Sequence, residues 1–123
     1  NIGHITYKVG YDLGMLEAAF GSLADERVLL FLHRYDRGYG RQIALAFDTP
    51  VSEVQKQLTK LESGGLVVSR LVGRTRVYEW NPRSVFVARL RALLQVILEH
   101  LPPERQGPFQ DGRRRPRRAG KPG

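Results

Sequence analysis

Apolar side chains recur along this sequence at helical spacing in several stretches, and one segment between them alternates like a strand. In 49–65, Val51, Val54, Leu58 and Leu61 fall on one stripe of a helix, leaving Ser52, Lys56, Thr59, Lys60 and Ser63 on the opposite face with Gln55 at its edge. Thr49 as N-cap, Pro50 in the first turn and the Gly64-Gly65 pair as a left-handed end predict a helix over 50–63. Upstream, Ile43, Ala44 and Phe47 predict a two-turn helix over 41–47, joined to it by Asp48-Thr49-Pro50, where the proline disfavours helical geometry at Thr49. Before that pair, Ser22 opens a strongly apolar helix bearing Leu23, Val28, Leu29, Phe31 and Leu32, with Asp25 and Glu26 near its positive dipole end and a stop near 35–38.

The flanks are read the same way. Residues 1–11 predict an extended arm, and Asp12 with Leu13, Leu16, Ala19 and Phe20 predicts a short helix over 12–20, weakened by Gly14 and ended by Gly21. Residues 66–72 are rich in β-branched side chains, Gly73-Arg74 can turn, and 75–80 alternates, so 66–80 predicts a β-hairpin with Arg70, Arg74 and Arg76 towards its tip. Tyr78 and Trp80 sit at its base as core anchors. Asn81-Pro82 closes it and opens a long helix over 83–101, on which Phe86, Leu90, Leu93, Ile97 and Leu101 form a stripe that Val87, Leu94 and Leu98 widen. That apolar surface exceeds what one face of a small domain covers. It predicts a two-fold dimer packed through Phe86, Val87, Leu90, Leu94, Ile97, Leu98 and Leu101, with Leu16 and Phe20 beside them. The alternative is that the helix folds back on its own core.

With 123 residues the chain predicts one core, and the hairpin among helices makes it mainly α with a small β element, an α+β domain. From Pro102 the composition turns to proline, glycine and arginine without periodicity, so 102–123 predicts a disordered basic tail after a folded unit over 12–101. Net charge is +8, and the tail holds seven basic against two acidic side chains, leaving +3 to 1–101. The span 41–76 alone has six basic and three acidic residues, so the folded part's excess coincides with the second helix and the hairpin. A polyanionic partner is the expectation, with the run Arg113, Arg114, Arg115, Arg117 and Arg118 adding unspecific phosphate attraction or serving only as a solubilising end. No apolar run approaches the roughly 18 residues of a membrane span, and the first twenty residues show no secretory pattern. Cysteine is absent, which excludes disulfides and thiolate chemistry and is compatible with a cytoplasmic protein.

The order of helix, helix-turn-helix, hairpin and terminal apolar helix, carried by V-S-E-V-Q-K-Q-L-T-K-L-E-S-G-G-L-V and V-G-R-T-R-V-Y-E-W-N-P-R, resembles the winged helix-turn-helix transcriptional regulators over 22–101, specifically the ArsR-like ones. The resemblance implies that Ser52, Gln55 and Lys56 take base-reading or phosphate positions on a recognition helix over 50–63 and that Arg74 belongs to the wing, while the apolar stripe makes 82–101 the expected dimerisation helix. The resemblance also implies repression. The chain departs from metal-sensing members in having no cysteine, and His4, His33 and His100 stand isolated, so no metal and no cofactor are expected.

On this reading the partner is double-stranded DNA bound by a homodimer. Arg41, Lys56, Lys60, Arg70, Arg74 and Arg76 would neutralise phosphates while Ser52, Gln55 and Thr59 meet base edges. A protein-docking module on the same fold is the alternative, and RNA binding through the tail ranks below both. Whether an effector or protein partner acts on the domain is left open. No phosphate-binding glycine loop, nucleophile elbow or paired-carboxylate arrangement is present, so the chain does not read as an enzyme.

Overall fold

The computed structural model describes Ala19 and residues 21–110. The expected arm over 1–11, most of the helix over 12–20 with Leu16 and Phe20, and the arginine run after Gln110 lie outside the described residues. Helix α1 (Leu23–Tyr35) starts where the sequence indicates: the Ser22 side chain accepts from the Asp25 amide at 3.0 Å. Val28 through Leu32 are all buried, so this helix is the axis of the core. It ends at Asp36, which takes a left-handed φ of 72° and donates its amide to Leu32 O at 2.8 Å.

A two-residue strand, β1 (Arg37–Gly38), then precedes α2 (Gly40–Phe47). Gly38 is required here because a Cβ would lie 2.8 Å from the Phe31 ring. The chain turns over Asp48 (φ 52°) and enters α3 (Val51–Ser63). Thr49 is not the cap that the sequence suggested: its hydroxyl donates to Phe47 O at 3.2 Å and accepts from Arg27 at 2.9 Å, which turns it back into the connection. Pro50 takes the cap position with no side-chain hydrogen bond, and the helix starts one residue later than expected.

At the other end of α3 the glycine pair behaves as its composition implies. Gly65 has φ 83°, Leu66 N–H donates to Leu61 O at 3.0 Å and Gly65 N–H to Glu62 O at 3.0 Å, the two bonds of a Schellman ending. Space is open around the Gly65 Cβ position, so Gly65→Ala should act through backbone strain alone. The expected loss is about 1 to 2 kcal/mol, read as a lower urea midpoint with unchanged slope.

Strands β2 (Val67–Val72) and β3 (Thr75–Trp80) form the expected hairpin around Gly73 (φ 66°), and β1 pairs with the far edge of β3 to give an antiparallel sheet of order β1-β3-β2. Tyr78 and Trp80 are buried, and the Trp80 indole donates to Leu32 O at 3.0 Å. After the hairpin, Asn81 ties the corner by donating to Gly65 O and accepting from the Arg83 amide.

Helix α4 (Val87–Glu99) is shorter than the expected 83–101 because this corner occupies its proposed first turn. It also corrects the dimer surface. Leu94 and Ile97 are fully buried and Leu101 nearly so, all against the chain's own core, with Val87, Leu90 and Leu98 partly buried beside them. Of the expected interface side chains on this helix and its approach, Phe86 stays largely exposed at 70%. Leu93 and Val96 join it on the outer side of the helix.

The tail also differs from expectation over 102–110. Two single turns of 3-10 helix, Pro103–Arg105 and Gly107–Phe109, fold back over the end of α1. Phe109 is buried with its ring 5.6 Å from that of Phe47, Arg34 Nε donates to Phe109 O at 3.0 Å, and the Tyr35 hydroxyl donates to Pro108 O at 2.8 Å. Averaged composition hid this, because one phenylalanine and two backbone carbonyls suffice to dock a short segment.

Candidate nucleic-acid interface

Burial along α3 sets its outer face. Val54, Gln57, Leu58 and Leu61 are buried, a spacing of three and four that turns Ser52, Lys56 and Thr59 outward, where all three are exposed. Val51, expected on the inner stripe, is half exposed, and Gln57 takes the inner position instead. Every side chain expected on the polar face, Ser52, Gln55, Lys56, Thr59, Lys60 and Ser63, is exposed.

Four of the proposed contact residues on the helix and sheet, Lys60, Arg70, Gln55 and Arg76, have partners within the chain. Lys60 donates to Asp25 Oδ2 at 2.9 Å, and that carboxylate's side chain is only 4% exposed while the lysine is half exposed. Removing the lysine would strand a buried charge, so its first role is to neutralise α1. Arg70 pairs with Glu79 at 3.4 Å. Gln55 donates from Nε2 to the Tyr78 hydroxyl at 2.8 Å, and its Oε1 lies where a Cβ on Gly40 would be only 2.8 Å away. An amide so held does not reach freely for a base edge.

Arg41, Arg74 and Arg76 converge elsewhere. They line an open cleft of about 450 Å³ between the start of α2 and the tip of the hairpin, together with Tyr39, Gly40, Gln55 and Thr75. No carboxylate lines this cleft. Arg76 donates to Ser69 Oγ at 3.1 Å, and that hydroxyl in turn donates to Glu62 at 2.7 Å, so a hydroxyl stands between the guanidinium and the carboxylate. The first turn of α2 adds backbone N–H groups at its positive end. Guanidinium, hydroxyl and helix-end donors around one concavity form a surface suited to phosphate oxygens. Tyr39 and Thr75 were not picked out from the sequence. Proximity of Tyr39 to Arg41 was a signal, but nothing in one dimension brings residues 39–41 to 74–76.

Away from this surface, Arg91 Nε donates to His33 Nδ1 at 3.1 Å, which leaves Nε2–H to donate to Gln95 Oε1 at 2.7 Å. His100 contacts Val96 O through Nδ1, and His4 lies outside the described residues. Among the described residues no group of three or more His, Asp or Glu side chains could hold a metal ion. Arg27, beneath the connection between α2 and α3, has its guanidinium pKa lowered by burial and then by Arg105, with Glu26 opposing. No helix among the described residues is long and apolar enough to cross a membrane.

Two helices joined by a short turn, followed by an antiparallel hairpin and a closing helix, define a winged helix-turn-helix domain of the α+β class. No protein-family model matches the chain, and no curated protein matches it. Among solved structures it is similar to a doubly substituted variant of ZitR from Lactococcus lactis, at 21% identity over 76% of this chain and 72% of that one, with a TM-score of 0.48. The same variant in its apo form aligns at 19% identity over 75% of this chain and 78% of that one, with a TM-score of 0.47.

Proposed function

We propose that this chain is a sequence-specific double-stranded DNA-binding transcriptional regulator that acts in the cytoplasm as a homodimeric repressor. Helix α3 enters the major groove with Ser52, Lys56 and Thr59 forward, and the β2–β3 wing lies on the backbone or the adjoining minor groove. The observation that carries the reading is the acid-free arginine cleft of Arg41, Arg74 and Arg76, which Gln55 joins directly to the helix bearing the exposed polar face. Dimerisation is assigned to the outer side of α4, where Phe86, Leu93 and Val96 are exposed at 70%, 41% and 51%, in place of the buried stripe. Those same side chains, with Val85 at 81%, favour the second reading, a docking module for another protein.

Selection of bound fragments from a random duplex pool, followed by affinity measured against salt, separates the two. A DNA regulator of this form enriches an inverted repeat with half-sites about one helical turn apart and binds more weakly as salt rises. A pool that stays unenriched, with retention indifferent to salt, would overturn the regulator and leave the docking module.

A further inference from the structure

Helix α3 and the wing are joined by the turn at Gly64 and Gly65. Gln55 lies roughly 14 Å back along the helix axis from that turn. Its Nε2 donates to the hydroxyl of Tyr78, a residue only 2% exposed on the middle strand, opposite Ser69 on β2 and Gly38 on β1. Its Oε1 occupies the space beside Gly40 that a Cβ there would need, 2.8 Å from that position. The arginine cleft opens beside this bridge.

We infer that Gln55 and Tyr78 are a positioning pair: their hydrogen bond is a crossbar that fixes the spacing between α3 and the wing, and hence where Arg74 and Arg76 stand relative to the helix face. Gln55 therefore reads no base. Glycine at position 40 belongs to the same device, because a Cβ there would lie 2.8 Å from the amide oxygen, which would have to shift. The ring of Tyr78 packs in the core whether or not the hydroxyl is present, so the bond serves geometry more than burial. The effect on DNA rests on the duplex-binding reading; the effect on the free protein does not.

The test uses the full chain with Tyr78→Phe, Gln55→Leu and the double variant. In the free protein, amide hydrogen exchange in the wing should rise about tenfold in each single variant while α1 stays unchanged, because the crossbar closes a local opening and not the global one. The double variant should add little to either single, since both remove one bond. On a random-sequence duplex, Tyr78→Phe should weaken binding about fivefold to tenfold and make the salt dependence shallower by about one phosphate contact. The base preference recovered from the random pool should be the same in wild type and both single variants.

Unchanged exchange in the wing would overturn the crossbar whether or not the protein binds DNA. A base preference relaxed at one position by Gln55→Leu and untouched by Tyr78→Phe would overturn it in favour of base reading. If the wild type binds no duplex while the exchange rises as stated, the crossbar stands and the DNA reading falls.

Discussion

Changing Arg41, Arg74 and Arg76 together to alanine is expected to cut affinity for duplex DNA on the order of a hundredfold at physiological salt. Each phosphate neutralised contributes a slope of about −0.9 to the dependence of log affinity on log salt, so losing three contacts should flatten that slope by almost three units. The variant should remain folded, since all three side chains are exposed and Arg41 and Arg74 have no ion pair among the described residues that the substitution would break. Anisotropy titrations of a labelled duplex across a salt series give both quantities. A slope that does not move would show that the cleft does not face the phosphates. Lys60→Ala is the instructive contrast: it removes the same charge, yet its main cost should fall on folding, because Asp25 is left buried without its cation.

Leu94→Ala should lower stability by about 3 kcal/mol. Its side chain is fully buried within one copy of the chain, so truncation removes transfer energy and leaves a cavity that packed neighbours fill only in part. For a domain of this size that corresponds to a fall of roughly 15 °C in Tm. The shift should not depend on protein concentration. Phe86→Ala, by contrast, should change stability by less than about 0.5 kcal/mol and weaken self-association measured by sedimentation, since that ring is exposed. Equal loss of stability in the two variants, each varying with concentration, would restore the buried stripe as an interface.

Much of the fold is local in origin, which is why it could be read from the chain. Ser22 caps α1, the Gly64-Gly65 pair ends α3 and Gly73 turns the wing, each through bonds made within a few residues. What escaped depends on distance. The strand β1 has two residues and no periodicity; it exists because Gly38 can lie against Phe31 opposite Tyr78. Thr49 looked like a cap until Arg27, 22 residues earlier, supplied a competing donor. The apolar stripe of α4 was visible, but whether it met its own core or a second copy was a question of packing volume that periodicity does not answer. The same holds at the candidate interface. Exposure of Ser52, Lys56 and Thr59 follows from helical phase, whereas the engagement of Gln55, Lys60 and Arg70 follows from partners that only the folded chain brings near.

Trp80 is the sole tryptophan in the sequence, and its placement gives the molecule a built-in optical gauge. The indole is seated at the root of the wing, bonded to the backbone of α1 and overlain by the Arg91 guanidinium of α4 at 5.5 Å. Three structural parts thus share one fluorophore. Its emission colour reports whether they remain assembled, so a substitution that slackens only the wing tip and one that dissolves the whole domain can be told apart without attaching a dye.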